Sequence, residues 1–129
     1  MVAPAQAAGA TYTGKSTQGL GVSLKTRANG RPRLFTFAWE TQCPKGRVFS
    51  VTRATPGSSV SYRRFTSQGS YIIRQKGGIR ASVAGSARGK RTSAHGWGGS
   101  FRLSIVVRKN GHVIDRCHLG RTAWKAARP

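Results

Sequence analysis

The chain has 129 residues, 37% of them hydrophobic, which supports one modest core and one domain. Lysine and arginine number 23 against two acids, for a net charge of +21. Paired-carboxylate catalysis is therefore excluded unless Glu40 and Asp115 share a site, and no apolar run approaches the ~18 residues of a membrane-spanning helix.

The first ten residues are alanine-rich and contain Ala5-Gln6-Ala7, the pattern found around a signal-peptidase site. Residues 1–10 read as a flexible tail left from an export signal region, and 11–129 as a single β domain. Glycine is frequent and no long stretch has helical apolar spacing, whereas period-two alternation recurs. Thr11 to Lys15 and Leu20 to Lys25 read as the first two strands. Asn29-Gly30 marks a turn. In the next strand Phe35, Phe37, Trp39, Thr41 and Cys43 share one parity, so Cys43 falls on the aromatic, core-facing side. Pro44-Lys45-Gly46 is a turn, Phe49 and Val51 mark a fourth strand, and residues 54–59 read as a loop. Val60, Tyr62 and Tyr71-Ile72-Ile73 indicate one or two further strands. Gly77-Gly78 turns the chain into the alternation Ile79, Ala81, Val83, Gly85. Residues 85–91 read as a basic hairpin tip. A long strand follows with His95, Trp97, Gly99, Phe101, Leu103, Ile105 and Val107 facing inward, and Gly96 to Gly99 leave room for a bulge. Asn110-Gly111 is a hairpin turn of the favoured type. Val113 to His118 returns, and Thr122 to Ala126 forms a short last strand.

The count is about eight short strands with closely spaced turns. The fold class is all-β, a compact antiparallel barrel or two-sheet sandwich with one disulfide. The expected core is Leu24, Phe35, Phe37, Trp39, Phe49, Val51, Val83, Trp97, Phe101, Leu103, Ile105 and Trp124. Cys43 and Cys117 form no CxxC motif, and a Cys43–Cys117 bond agrees with export to an oxidising compartment. Two buried thiols in a reducing compartment are the other reading.

The terminal stretch Cys117-His118-Leu119-Gly120-Arg121-Thr122-Ala123-Trp124-Lys125-Ala126 fits Cys-x-x-Gly-x-x-x-Trp-x-Ala. With Gly14-Lys15, Gly21-Val22-Ser23-Leu24 and the Phe35 to Cys43 strand, it resembles small secreted β-rich domains of actinobacteria across residues 11–126. The resemblance implies secretion and a disulfide-bearing β fold, and it carries no activity or functional residue.

Several chemistries can be weighed on the residues. A GC-rich coding sequence would favour arginine over lysine but would not remove Asp and Glu, whose codons are also GC-rich. The charge therefore points to polyanions or an anionic cell-envelope surface, with simple solubility of a secreted protein as the plainer account. Tyr62, Arg63, Arg64, Tyr71, Arg74 and Lys76 interleave rings with cations, and Arg88, Lys90 and Arg91 add three cations at the supposed tip. These nine residues are the candidate binding set, the tyrosines for stacking and the rest for charge. Each of them also fits an ordinary core or solvated position. A secreted ribonuclease would need Glu40, His95, His112 or His118 and arginines to converge. A small-ligand barrel would be lined by Phe35, Phe37, Trp39, Trp97 and Phe101, which equally fill a core. Glu40 reads as a solvated acid among arginines, Asp115 as an inward carboxylate paired with an arginine, and His95 as a buried, hydrogen-bonded histidine. The histidines lack metal-ligand spacing, and no catalytic residue, metal or cofactor is assigned. The function expected is non-catalytic binding to nucleic acid, another polyanion or the envelope surface, outside the cell. The small-ligand barrel and the ribonuclease are the alternatives.

Overall fold

The structure is a computed structural model that describes residues 9–61 and 63–129, with residues 58–61 described by backbone alone. Nine strands are formed: β1 (Thr11–Ser16), β2 (Gly21–Thr26), β3 (Pro32–Gln42), β4 (Val48–Pro56), β5 (Ser58–Ser61), β6 (Arg64–Gln75), β7 (Ile79–Ser93), β8 (Gly96–Lys109) and β9 (His112–Ala127). They make one antiparallel sheet in the order β4-β3-β2-β1-β9-β8-β7-β6-β5. The sheet curls into a nearly closed barrel. The two edge strands, β4 and β5, are joined through Gly57, whose N–H donates to the Arg33 carbonyl at 3.1 Å. From there to the far end of β4 no backbone ladder to β6 is formed among the described residues. Side chains hold that seam: Thr55 Oγ1 and Ser67 Oγ lie 2.6 Å apart, Arg47 donates to Gln75 at 2.8 Å, and Arg53 lies 4.0 Å from the Tyr71 ring centre.

Period-two alternation fixes which face is buried. Every residue of the expected core is buried except Val51, which is partly buried and packs against the rest. One row across the barrel explains its shape. Phe65 of β6 pairs with Gly89 of β7, Gly89 with Gly99 of β8, and Gly99 with Trp124 of β9. Gly89 leaves space for the rings on either side, whose centres are 6.0 Å apart, while Gly99 lets the β7 backbone at Arg88 and Gly89 approach closely. Phe35 joins them, 4.7 Å from Trp124 and 5.4 Å from Phe65. A Cβ at Gly89 would fall 2.5 Å from Phe65 and 2.7 Å from Trp124. Gly89→Ala is therefore expected to destabilise the fold by ~1–3 kcal/mol through overpacking. A urea midpoint equal to that of the unsubstituted protein would contradict this.

The disulfide pairing is as expected: Cys43 and Cys117 are bonded with their Cα atoms 4.9 Å apart. Its place follows from strand lengths. β2 pairs only with β3 residues up to Phe37, and β1 reaches only the last four residues of its β9 partner segment, Trp124 to Ala127. Beyond those points β3 and β9 face each other without a strand between, and the disulfide joins them there. Gln18, in the β1–β2 turn, covers part of the same gap. Its side chain donates to the Glu40 carbonyl at 2.6 Å and accepts from the Glu40 N–H at 3.2 Å.

Several expectations are corrected. Residues 54–59 are not a loop: β4 runs to Pro56 and β5 begins at Ser58. Residues 85–91 are not a hairpin tip but the middle of β7, because Ala87 and Gly89 face the core while Arg88 and Lys90 face out. The turn comes at Ala94-His95, so His95 is exposed rather than buried. Residues 113–118 and 122–126 belong to one strand, β9. An irregularity does fall at the start of the Gly96 to Gly99 stretch, where Arg91 pairs with Trp97 and Ser93 with Gly96 so that Thr92 of β7 is the extra residue, and against β9 the register shifts again between Phe101 and Leu103 and between Val107 and Arg108. The turns at Gly30, Gly46, Gly77-Gly78 and Asn110-Gly111 are as read, each with positive φ. Ala10 exchanges hydrogen bonds with Thr26, while residues 1–8 of the expected tail lie outside the described residues.

Candidate functional site: a cationic trench on β6 to β9

The outward positions of β8 are unusually small. Gly98 and Ser100 face out between Lys90 and Arg88 of β7 on one side and Lys125 and Ala123 of β9 on the other. Side chains on β7 and β9 thus rise beside a floor that has almost none. The register extends the pattern: Arg64 of β6 lies beside Lys90, and Lys15 of β1 beside Lys125.

Arg121 completes the site through a bulge. Phe101 pairs with Thr122 and Leu103 with Leu119, so Gly120 and Arg121 together oppose Arg102. Such bulges re-aim a side chain. The Arg121 side chain extends from β9 over β8, because it borders the same depression as Arg88 and Arg64. That depression has a volume of about 490 Å³ and is lined by Arg64, Arg88, Lys90 and Arg121 around Gly98, Ser100 and Thr66. Ser100 is buried beneath it. A second hollow continues past Arg102 and Arg121, and a third, of about 810 Å³, runs past Lys90, Lys125 and Lys15.

The chain's two carboxylates are elsewhere. Glu40 is exposed on β3, where Gln18 bonds its backbone, and no residue of β3 lines the depression. Asp115 is buried, and it accepts from the backbone N–H groups of Lys45 at 3.1 Å and Arg116 at 2.9 Å. It caps the turn after β3 through these backbone bonds, and no arginine pair with it is formed among the described residues, where one was expected.

The nine candidate residues separate into groups. Arg64, Arg88 and Lys90 are brought together in the trench. Arg74 and Lys76 lie at the other end of β6, roughly 30 Å away along an extended strand. There Arg74, Arg80 and Arg108 stand side by side on three strands. Arg91 braces the β7–β8 turn, donating to the carbonyls of Ser93 at 3.1 Å and Ala94 at 2.9 Å. The Arg63 backbone carbonyl accepts from the Arg91 N–H, and its side chain is exposed. Tyr71 is turned from the basic face toward the seam. Burial pushes its phenol above the ordinary value, with the nearby Trp39 indole N–H and the Arg53 guanidinium pulling the other way. Trp39 Nε1 and the Tyr71 hydroxyl are close, but they lack the geometry of a hydrogen bond and have no other partner among the described residues. Tyr62 lies outside the described residues. Sequence reasoning missed Lys15, Arg102, Arg121 and Lys125. The parity of Lys125 against Trp124 was a usable signal, whereas the bulge that aims Arg121 left none.

The ribonuclease constellation does not assemble. His95 and His112 sit at opposite ends of β8, His118 is opposite Ser104 in its middle, and Glu40 is on β3. Among the described residues no group of three or more His, Cys, Asp or Glu side chains could hold a metal ion, and no helix is long and apolar enough to cross a membrane. No protein-family model, curated protein or solved structure matches the chain.

Proposed function

We propose that this protein is an exported, non-catalytic binding domain for polyanions, and that the trench on β6 to β9 is its contact surface. The single observation that carries the reading is four cations, Arg64, Arg88, Lys90 and Arg121, around one depression while both carboxylates of the chain lie elsewhere. Directly opposed like charges on neighbouring strands destabilise a sheet, and here no acid offsets them. An anionic partner would remove that repulsion and release counterions on binding. The disulfide is compatible with an oxidising, extracellular setting, which supports the export part of the proposal and its resemblance to small secreted domains of actinobacteria. A small-ligand barrel has less support, because the rings that would line it fill the interior. A hollow at the seam, of about 200 Å³, is smaller than common ligand pockets of ~300–1,000 Å³.

Binding to single-stranded DNA, duplex DNA, heparin and anionic vesicles, followed across ~50–300 mM salt, tests the proposal. Affinity is expected to persist near ~150 mM salt for at least one partner. Replacing Arg64, Arg88, Lys90 and Arg121 together by glutamine should flatten the logarithmic salt slope on a single strand by about 3, at ~0.7 for each lost contact. Removing the same charge at exposed Arg27, Arg31, Arg33 and Arg116 should have a smaller effect. Equal effects of the two sets, or uniform loss of all binding by ~150 mM, would defeat the proposal.

A further inference from the structure

The trench has a direction and a width, and both narrow the kind of polyanion it fits. Its cationic walls stand on β7 and β9, two strand spacings apart, or about 9.6 Å. That width admits one extended chain, while the major groove of duplex DNA alone is about 12 Å wide. The trench therefore runs along β8: Arg88 and Lys90 on β7 and Arg121 and Lys125 on β9 flank its floor at Gly98 and Ser100, with Arg64 and Lys15 one strand further out on either side. Hollows on either side of Gly98 share Lys90, Gly98 and Gly99 in their linings, so the path is continuous. No described aromatic ring stands in it: Phe65, Trp97, Phe101 and Trp124 are all buried on the inner face. A surface that binds nucleic acid through its bases offers rings for stacking. This one offers cations over a floor of glycine and serine.

We infer that the trench takes a single, unbranched phosphate chain and reads its backbone charge alone, without the groups attached to it. The inference rests on the polyanion reading above and specifies the partner's form.

Gly98 gives a clean test. Its φ is not in the left-handed region, and a Cβ there would make only ordinary contacts, the nearest 3.5 Å from the Trp124 carbonyl oxygen. A glutamate at 98 would stand directly between Lys90 and Lys125 and pair with both. Cross-strand pairs of opposite charge stabilise a sheet, so Gly98→Glu should melt no lower than the unsubstituted protein. In the same variant, affinity for inorganic polyphosphate near ~150 mM salt should fall at least about tenfold, while duplex DNA should lose less than about threefold. Gly98→Gln, of the same size without charge, should stay within about twofold for both probes. Polyphosphate binding that Gly98→Glu leaves intact, or an equal loss for polyphosphate and duplex, would overturn the single-chain inference and leave the polyanion reading standing. Loss in Gly98→Gln equal to that in Gly98→Glu would also overturn it, since shape and not charge would then be at work. If the unsubstituted protein binds neither probe near ~150 mM salt, the polyanion reading falls with it.

Discussion

Replacing Cys43 and Cys117 by a pair of alanines is expected to lower stability by ~4 kcal/mol, a large part of what holds a domain of this size together. The loop closed by the bond spans a sequence separation of 74, and the chain-entropy relation for a loop of that length gives this figure. The structure adds a reason for the loss to appear in full. The bond spans the gap left where β1 and β2 stop short, and no ladder between β3 and β9 replaces it. With the bond gone, Gln18 and the Asp115 cap of the following turn remain to hold that corner. Both cysteines are buried, so reductant should act slowly on the native protein and quickly once denaturant opens it. Urea unfolding of the oxidised protein and the double alanine variant measures the difference. A gap below ~1 kcal/mol would show that the corner is held by packing instead.

The second large effect is expected at Trp124. Trp124→Ala should destabilise the fold by ~3–5 kcal/mol. The side chain is only 2% exposed and packs across two glycines to reach Phe65 and Phe35. Neither Gly89 nor Gly99 has a side chain that could move into the space, so the cavity would remain open. Collapse is the usual way a site softens such a loss, and here it would require β7 and β8 to move inward together. Denaturant midpoints for Trp124→Ala and Trp124→Phe separate the cavity from the loss of an aromatic contact, with the phenylalanine variant recovering much of the difference. Equal losses in the two variants would contradict the packing account.

Much of this fold can be read from residue order, because a barrel with one wet face obliges side chains to alternate. Phe35, Phe37 and Trp39 disclose the inner face of β3, and Asn110-Gly111 discloses a hairpin. The errors have a common physical origin. Gly89 lies between arginines and lysine, so residues 85–91 read as a turn, yet that glycine serves the partner rings Phe65 and Trp124, which are remote in sequence. Val113 to Ala126 reads as two strands because the bulge at Gly120-Arg121 interrupts the alternation. The candidate site was legible only in part for the same reason. Arg64, Arg88 and Lys90 were recognised as cations, but their convergence depends on the register between strands. Lys125, Lys15 and Arg121 join them through that register. Tyr71 illustrates the opposite case, a ring placed among basic residues in sequence and turned toward the seam in the fold.

The place of β9 between β1 and β8 bears on how the protein comes into being. Thr13 pairs with Ala127, so the first strand, paired with β2 on one side, cannot find its second neighbour until residues 112–127 are free to enter the sheet. Contacts so distant in sequence make folding slow, in the millisecond-to-second range for β barrels. Cys43 meets Cys117 only when β9 arrives, so this thiol pair is joined late. The hairpins from β1 to β4 and from β5 to β8 can pair as they emerge, so the last strand acts as the stave whose arrival turns two open ribbons into one closed wall.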